Sequence, residues 1–251
     1  MKYASILIIL LFVCVSPLLA INTDGLVLYL PFDEGSGNMA GDVSGTGNDG
    51  EIMGNVTWVD GVFGKAVQIG DDDPGNMVVV PDNDTLDIIG AMTISMWVNI
   101  QTVPDGSCST ITKADTYMIH ISDWSGNGIE QELLLWPFDA WQTPASTPIQ
   151  LEEWRHVTGV YDGSMIRMYI DGEMMGERER TGDTDITEND LVIGRDSRGC
   201  CNTRVAAMTV DEVMMWNRAL SDDEVMESMS SMTAVEPFDH LTSTWGQIKK
   251  Y

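Results

Sequence analysis

The stretch Met92-Thr-Ile-Ser-Met-Trp-Val-Asn-Ile-Gln101 decides the fold. Met92, Ile94, Met96, Val98 and Ile100 alternate with Thr93, Ser95, Trp97, Asn99 and Gln101. That period of two sorts the residues onto the two faces of a β-strand. Outward from it lie further β-rich runs: Leu26–Phe32, Ala66–Ile69, Met77–Val80, Tyr117–Ile121, Leu133–Trp136, His156–Tyr161, Met165–Ile170, Leu191–Ile193 and Met208–Trp216. Turn chemistry separates them at Gly35-Ser-Gly37, Gly45-Thr-Gly47, Asp60-Gly61, Asp162-Gly163 and Asp171-Gly172. Asp171-Gly172, following Met165–Ile170, predicts a two-residue hairpin. About ten strands without helical periods between them predict an all-β fold, an antiparallel β-sandwich or jelly roll. One short C-terminal helix is predicted, where Ser221 and Glu224 form a capping box and Val225, Met226 and Met229 follow at helical spacing.

The 251 residues carry 39 Asp and Glu against 13 Lys and Arg, a formal charge of −26. A field of that sign repels phosphate backbones and anionic lipid surfaces, so nucleic-acid and membrane-surface roles are disfavoured. At the amino terminus, Met1-Lys2 precedes an apolar run, Ile6–Leu19, that ends at Ala20. The run is too short to span a bilayer and reads as a signal peptide over 1–20, so an exported product is expected. Residues 21–232 read as one domain, and 233–251 as a C-terminal extension without pattern. Three cysteines then remain: Cys108, Cys200 and Cys201. In an oxidising compartment they predict one disulfide and one leftover thiol, with connectivity open; their spacing matches no zinc pattern.

Catalytic motifs are sparse. There is no Gly-x-Ser-x-Gly, His-Glu-x-x-His or phosphate loop. Glu130-Gln-Glu132 puts two carboxylates on one face if extended, but leads into Leu133-Leu-Leu-Trp136. Glu188-Asn-Asp190 has no second Glu after it, and His120, His156 and His240 are too scattered for a triad. His156, inside a strand run, reads as a structural histidine. Asp42-Val-Ser-Gly-Thr-Gly-Asn48-Asp-Gly50 is a glycine-punctuated turn rich in the oxygen atoms that Ca²⁺ takes as ligands. Its competing reading is a set of Asx turns. Asp71–Asp73, Asp82–Asp84 and Asp183–Asp185 read as solvated turns. Between residues 123 and 148, Trp124, Trp136 and Trp141 lie among Asn127, Gln131 and Gln142. Such a set serves either as a platform for stacking on pyranose rings or as a small core of its own.

Several segments, taken in order, resemble the laminin-G-like jelly roll of the concanavalin A-like lectin/glucanase superfamily. They are LVLYLPFDEGSG (26–37), DVSGTGNDG (42–50), TWVDGVFGKAVQI (57–69), MTISMWV (92–98), EWRHVTGVYDG (153–163), MYIDG (168–172) and VDEVMMWNRALS (210–221). The resemblance runs from about residue 24 to 232. It implies that the Asp42–Gly50 loop lies near the last long strand, so that Asp33, Asp42, Asn48 and Asp211 are the expected ligands of a structural Ca²⁺. Glucanases of this superfamily use a Glu-x-Asp-x-(x)-Glu pattern on one strand, which this sequence lacks. The expectation is an exported, non-catalytic, Ca²⁺-stabilised module that binds a glycan. An adhesion or assembly module with a protein partner is the alternative, and a glycosidase of the glucanase type comes third.

Overall fold

A computed structural model describes residues 21–103, 107–122, 130–137, 150–198 and 204–230. In chain order the strands are β1 (Leu26–Leu30), β2 (Met39–Ala40), β3 (Gly50–Met53), β4 (Thr57–Asp60), β5 (Lys65–Ile69), β6 (Met77–Val80), β7 (Met92–Ile100) and β8 (Ser107–Lys113). They continue with β9 (Tyr117–Ser122), β10 (Glu130–Leu135), β11 (Trp154–Tyr161), β12 (Met165–Ile170), β13 (Glu173–Glu179), β14 (Leu191–Ile193) and β15 (Met208–Trp216), followed by helix α1 (Asp222–Ser230). One sheet has the order β13-β12-β11-β7-β15-β5-β4, with β1 also on β15; the other runs β10-β9-β8-β14-β6-β3-β2. Every pairing is antiparallel. This is the expected all-β jelly roll.

The core lies between the sheets and is built by alternation. Met92, Ile94, Met96, Val98 and Ile100 of β7 meet Ile119 and Ile121 of β9 and Leu133 and Leu135 of β10 in one buried cluster. Each such side chain contributes on the order of 1.5–3 kcal/mol of hydrophobic stabilisation. The β12–β13 hairpin turns at Asp171 and Gly172, both with positive φ (51° and 78°), as a type I′ turn requires.

Two strands carry no clear alternation in sequence. β8 (SCSTITK) is mostly hydroxyl-bearing, and β13 (EMMGERE) is a charged edge strand paired only with β12. Helix α1 has the capping box: Ser221 N donates to Glu224 Oε2 at 2.9 Å, and Glu224 N donates to Ser221 Oγ at 3.4 Å. Its buried face differs from the sequence expectation. Val225 packs on Tyr169, Met214, Trp216 and Leu220, and Ser228 is buried beside it, whereas Met226 is exposed. The helix thus rests on the residues at i and i+3, Val225 and Ser228.

β15 positions a pair of acids. It is bulged between Asp211 and Met214, with Glu212 at φ 54°. Its first half pairs with β5 and its second half with β1, so Asp211 and Glu212 fall at the junction.

Candidate functional site

Cross-strand register builds a continuous platform on the second sheet, on the face turned away from the core. Val79 of β6 lies opposite Val192 of β14, Val192 opposite Thr112 of β8, Thr112 opposite Met118 of β9, and Met118 opposite Leu134 of β10. Beside this largely apolar row runs a polar one, in which Ser109, His120 and Glu132 are opposite one another on β8, β9 and β10. One step further, Ser122 faces Glu130. The pattern follows from a period of two: Tyr117, Ile119 and Ile121 enter the core, so Met118, His120 and Ser122 face away from it.

Charge on this face is concentrated and hidden from water. His120 is fully buried, Glu130 is 2% exposed and Glu132 is 4% exposed. His120 Nδ1 lies 3.1 Å from Glu132 Oε1. Glu130 Oε2 and Glu132 Oε2 have no hydrogen-bond partner among the described residues. Carboxylate oxygens in that condition are costly. Three described cations have partners elsewhere. Arg198 grips Asp196 through Nε at 3.0 and 3.1 Å and Nη2 at 2.5 Å. The Arg180 guanidinium donates to the carbonyls of Trp136, Gly182 and Asp183. Lys113 is held by Asp82 and by the Asn189 carbonyl. On the same sheet, a cavity of about 240 Å³ is lined by Val79, Val192, Asn189, Asp190, Arg195 and neighbouring residues.

Of the residues picked from sequence as a sugar platform, two are described. Trp136 closes β10 before a cis bond to Pro137, and the Arg198 guanidinium lies 5.3 Å from its ring centre. Gln131 belongs to β10 but pairs opposite Ile121 of the core face, with both amide atoms buried and unpartnered. Trp124, Asn127, Trp141 and Gln142 lie outside the described residues, as do Cys200 and Cys201. Cys108 is a free thiol buried in the core. Burial, and secondarily the charge of Asp196, pushes its pKa up to about 12.

His120 and the two glutamates were not selected from sequence. The signal for them was Glu130-Gln-Glu132 read with the alternation of Tyr117–Ile121. The 36-residue separation of His120 and His156 hid the rest: His120 finds its acid on the next strand, not near His156. His156 lies on the other sheet, as a structural group. It is buried, its Nε2 is 2.9 Å from Ser95 Oγ, and its ring is 5.2 Å from that of Trp97.

The four expected calcium ligands divide into two places. The Asp42 carboxylate accepts from five donors: Tyr29 N, Ser44 N, Ser44 Oγ, Thr46 Oγ1 and Asn48 N. Burial opposes its ionisation, but the bonds from Ser44, Tyr29 and Asn48 outweigh that and hold the carboxyl below its ordinary range. Asn48 Nδ2 donates to Val27 O, Thr46 Oγ1 and Thr85 Oγ1. This turn is thus closed by its own hydrogen bonds, and Asp42 in it does not fit a metal ligand. Asp33 and Asp211 belong to a second place, the 61–65 turn: Asp33 accepts from Lys65 N, and Asp211 Oδ2 accepts from Val62 N and Phe63 N. Glu212 joins them. Burial pushes Asp211 up to about 7 and Glu212 up to about 8, and the charge of Asp33 adds to both. Asp211 Oδ1 and Glu212 Oε2 are buried without a hydrogen-bond partner. Among the described residues, no three His, Cys, Asp or Glu side chains converge at metal-holding distance.

Comparison with known proteins agrees with this architecture. The chain resembles the binding domain of Paraclostridial Mosquitocidal Protein 1, with TM-score 0.66 and 17% identity over 83% of this chain and 52% of that one. It also resembles domain 4 of a GH43 extracellular arabinanase from Geobacillus stearothermophilus in complex with arabinotriose: TM-score 0.63, 18% identity, 81% of this chain and 98% of that domain. A Trypanosoma rangeli sialidase matches with TM-score 0.60 and 18% identity over 86% of this chain and 34% of the sialidase. The chain thus spans about half of the mosquitocidal domain and a third of the sialidase. No curated protein matches it. A family model described as the concanavalin A-like lectin/glucanases superfamily, of laminin G type, matches residues 71–226, and the chain belongs to that laminin-G-like family.

Proposed function

We propose that the chain is an exported, non-catalytic module that binds a glycan over the outward face of its second sheet. The observation that carries the reading is the cavity of about 240 Å³ there, where apolar Met77 and Val79 lie beside the polar groups of Asn189, Asp190 and Arg195. Sugars present the same combination, an apolar ring face edged with hydroxyls, and few polar groups suffice to orient them. The arabinotriose-bound arabinanase domain, almost all of whose length this chain spans, supports an oligosaccharide as the first ligand to try. Calorimetric titration with arabinotriose and a panel of neutral oligosaccharides tests the reading. Binding that is lost in Asp190→Ala, with no new reducing ends released, supports it. Silence across the panel favours a protein partner, and release of reducing ends favours a glycosidase.

A structural Ca²⁺ belongs to the same proposal, with Asp33 and Asp211 as its carboxylates and main-chain or solvent oxygens completing the shell, since no third acid among the described residues converges with them. Bound there, it would neutralise carboxylates that repel one another. A drop of several degrees in melting temperature on EDTA treatment, abolished in Asp211→Asn, supports it. An unchanged curve removes calcium from the account.

A further inference from the structure

We infer that the cavity on the second sheet takes a single sugar unit, clasped between Arg195 and Asp190, so that affinity is set by that unit and not by chain length. The inference rests on the glycan-binding reading and narrows its ligand to one ring. Lys65, Lys113, Arg155, Arg167, Arg198 and Arg218 each pair with an acid, in a chain with 39 acids against 13 bases. Arg195 does not, although Asp190 lines the same cavity. Among the described residues, the partner of its guanidinium is a backbone oxygen, the Pro74 carbonyl, to which Nη1 donates. A cation and an anion thus border one small space without meeting each other.

The polar groups around the cavity are held in place by the backbone. Asp190 Oδ1 accepts from Asp82 N at 3.0 Å, and Asn189 Nδ2 donates to the Ala114 carbonyl at 2.9 Å. Val79 and Val192, opposite each other on β6 and β14, supply an apolar wall. A guanidinium only donates and a carboxylate only accepts, whereas a hydroxyl does both. One sugar ring therefore offers an acceptor to Arg195 and a donor to Asp190 while its apolar face lies on the wall. Volume limits the rest. A cavity of about 240 Å³ falls below the roughly 300–1,000 Å³ of pockets that enclose a drug-sized ligand. A trisaccharide is of that size, so its other two rings stay in solvent and add little.

The experiment is an amide NMR titration of the whole chain, read for affinity, with three matched pairs: arabinose and arabinotriose, glucose and cellotriose, galactose and galactotriose. In every pair that binds, the two members are expected to agree within about threefold, the statistical gain from three units. A site that also held the second and third rings would gain at least a hydrogen bond from each, about tenfold or more in all. Arg195→Met and Asp190→Asn should each weaken the monosaccharide about tenfold or more, because each removes a charge-assisted bond. Asp183→Asn, outside the cavity lining, should leave it unchanged. A trisaccharide that binds about tenfold or more tightly than its own monosaccharide overturns the single-unit site while leaving glycan binding intact. Wild-type affinity in either cavity variant overturns the clasp. No shift with any probe overturns the glycan reading itself. The wild-type comparison within each pair does not depend on how well the variants fold.

Discussion

Acid should unfold this protein through His156 in a window fixed by its burial. The imidazole is fully buried on β11, and burial pushes its pKa down to about 4 from an ordinary 6.5, with the charge of Asp171 offsetting a little of that. In the folded state the ring therefore stays neutral between pH 6.5 and 4, where an unfolded chain takes up the proton. Because the folded pKa lies below the unfolded one, the stability is fully present above pH 6.5. It is lost as pH falls toward 4 and changes no further below that. At 1.36 kcal/mol per unit, the loss is roughly 3 kcal/mol, a large share of a typical 5–15 kcal/mol total. The assay is urea unfolding of the wild type and of His156→Gln at half-unit steps from pH 7.5 to 4. Other acids titrate equally in both proteins, so the difference between the two curves isolates the imidazole. It should change by roughly 3 kcal/mol across the window. Parallel curves, or an imidazole NMR signal titrating near pH 6.5 in the folded protein, would refute the reasoning.

Asp42→Ala should cost roughly 3 kcal/mol in urea unfolding, because it orphans backbone donors at Tyr29, Ser44 and Asn48, and chelator should not change that cost. A loss below about 1 kcal/mol would show that water replaces the carboxylate freely. Lys113→Met removes a fully buried ammonium from Asp82 and Asp87 and should destabilise by roughly 3–5 kcal/mol, with Asp82→Asn in the same chain recovering part of it. Strictly additive effects of the two substitutions would mean that the pair does not interact.

Legibility in the sequence followed periodicity. The alternation of Met92–Gln101, the Asp171-Gly172 turn and the Ser221/Glu224 box each state a backbone geometry in a few adjacent residues, and each is present in the structure. β8 and β13 were not legible, because Ser, Thr and charged residues carry no burial signal and their strandedness comes from a neighbour's ladder. The Asp42–Gly50 turn was legible as a concentration of oxygen atoms. Whether those oxygens face a cation or their own backbone depends on Tyr29 and Thr46, which composition cannot weigh. The His120–Glu132 contact was hidden for a different reason: it crosses from β9 to β10, and only the register between strands brings it about. The family resemblance was legible further toward the amino terminus than the matched region at 71–226, which begins after β5.

The central claim is that the outward face of the second sheet is the binding surface. An amide NMR titration with arabinotriose tests it most directly. The account predicts that the largest shifts cluster at Met77, Val79, Asn189, Asp190 and Arg195, with the β1–β15 and α1 region silent. Shifts concentrated on the first sheet, around Ser95, Trp97 and His156, would contradict it.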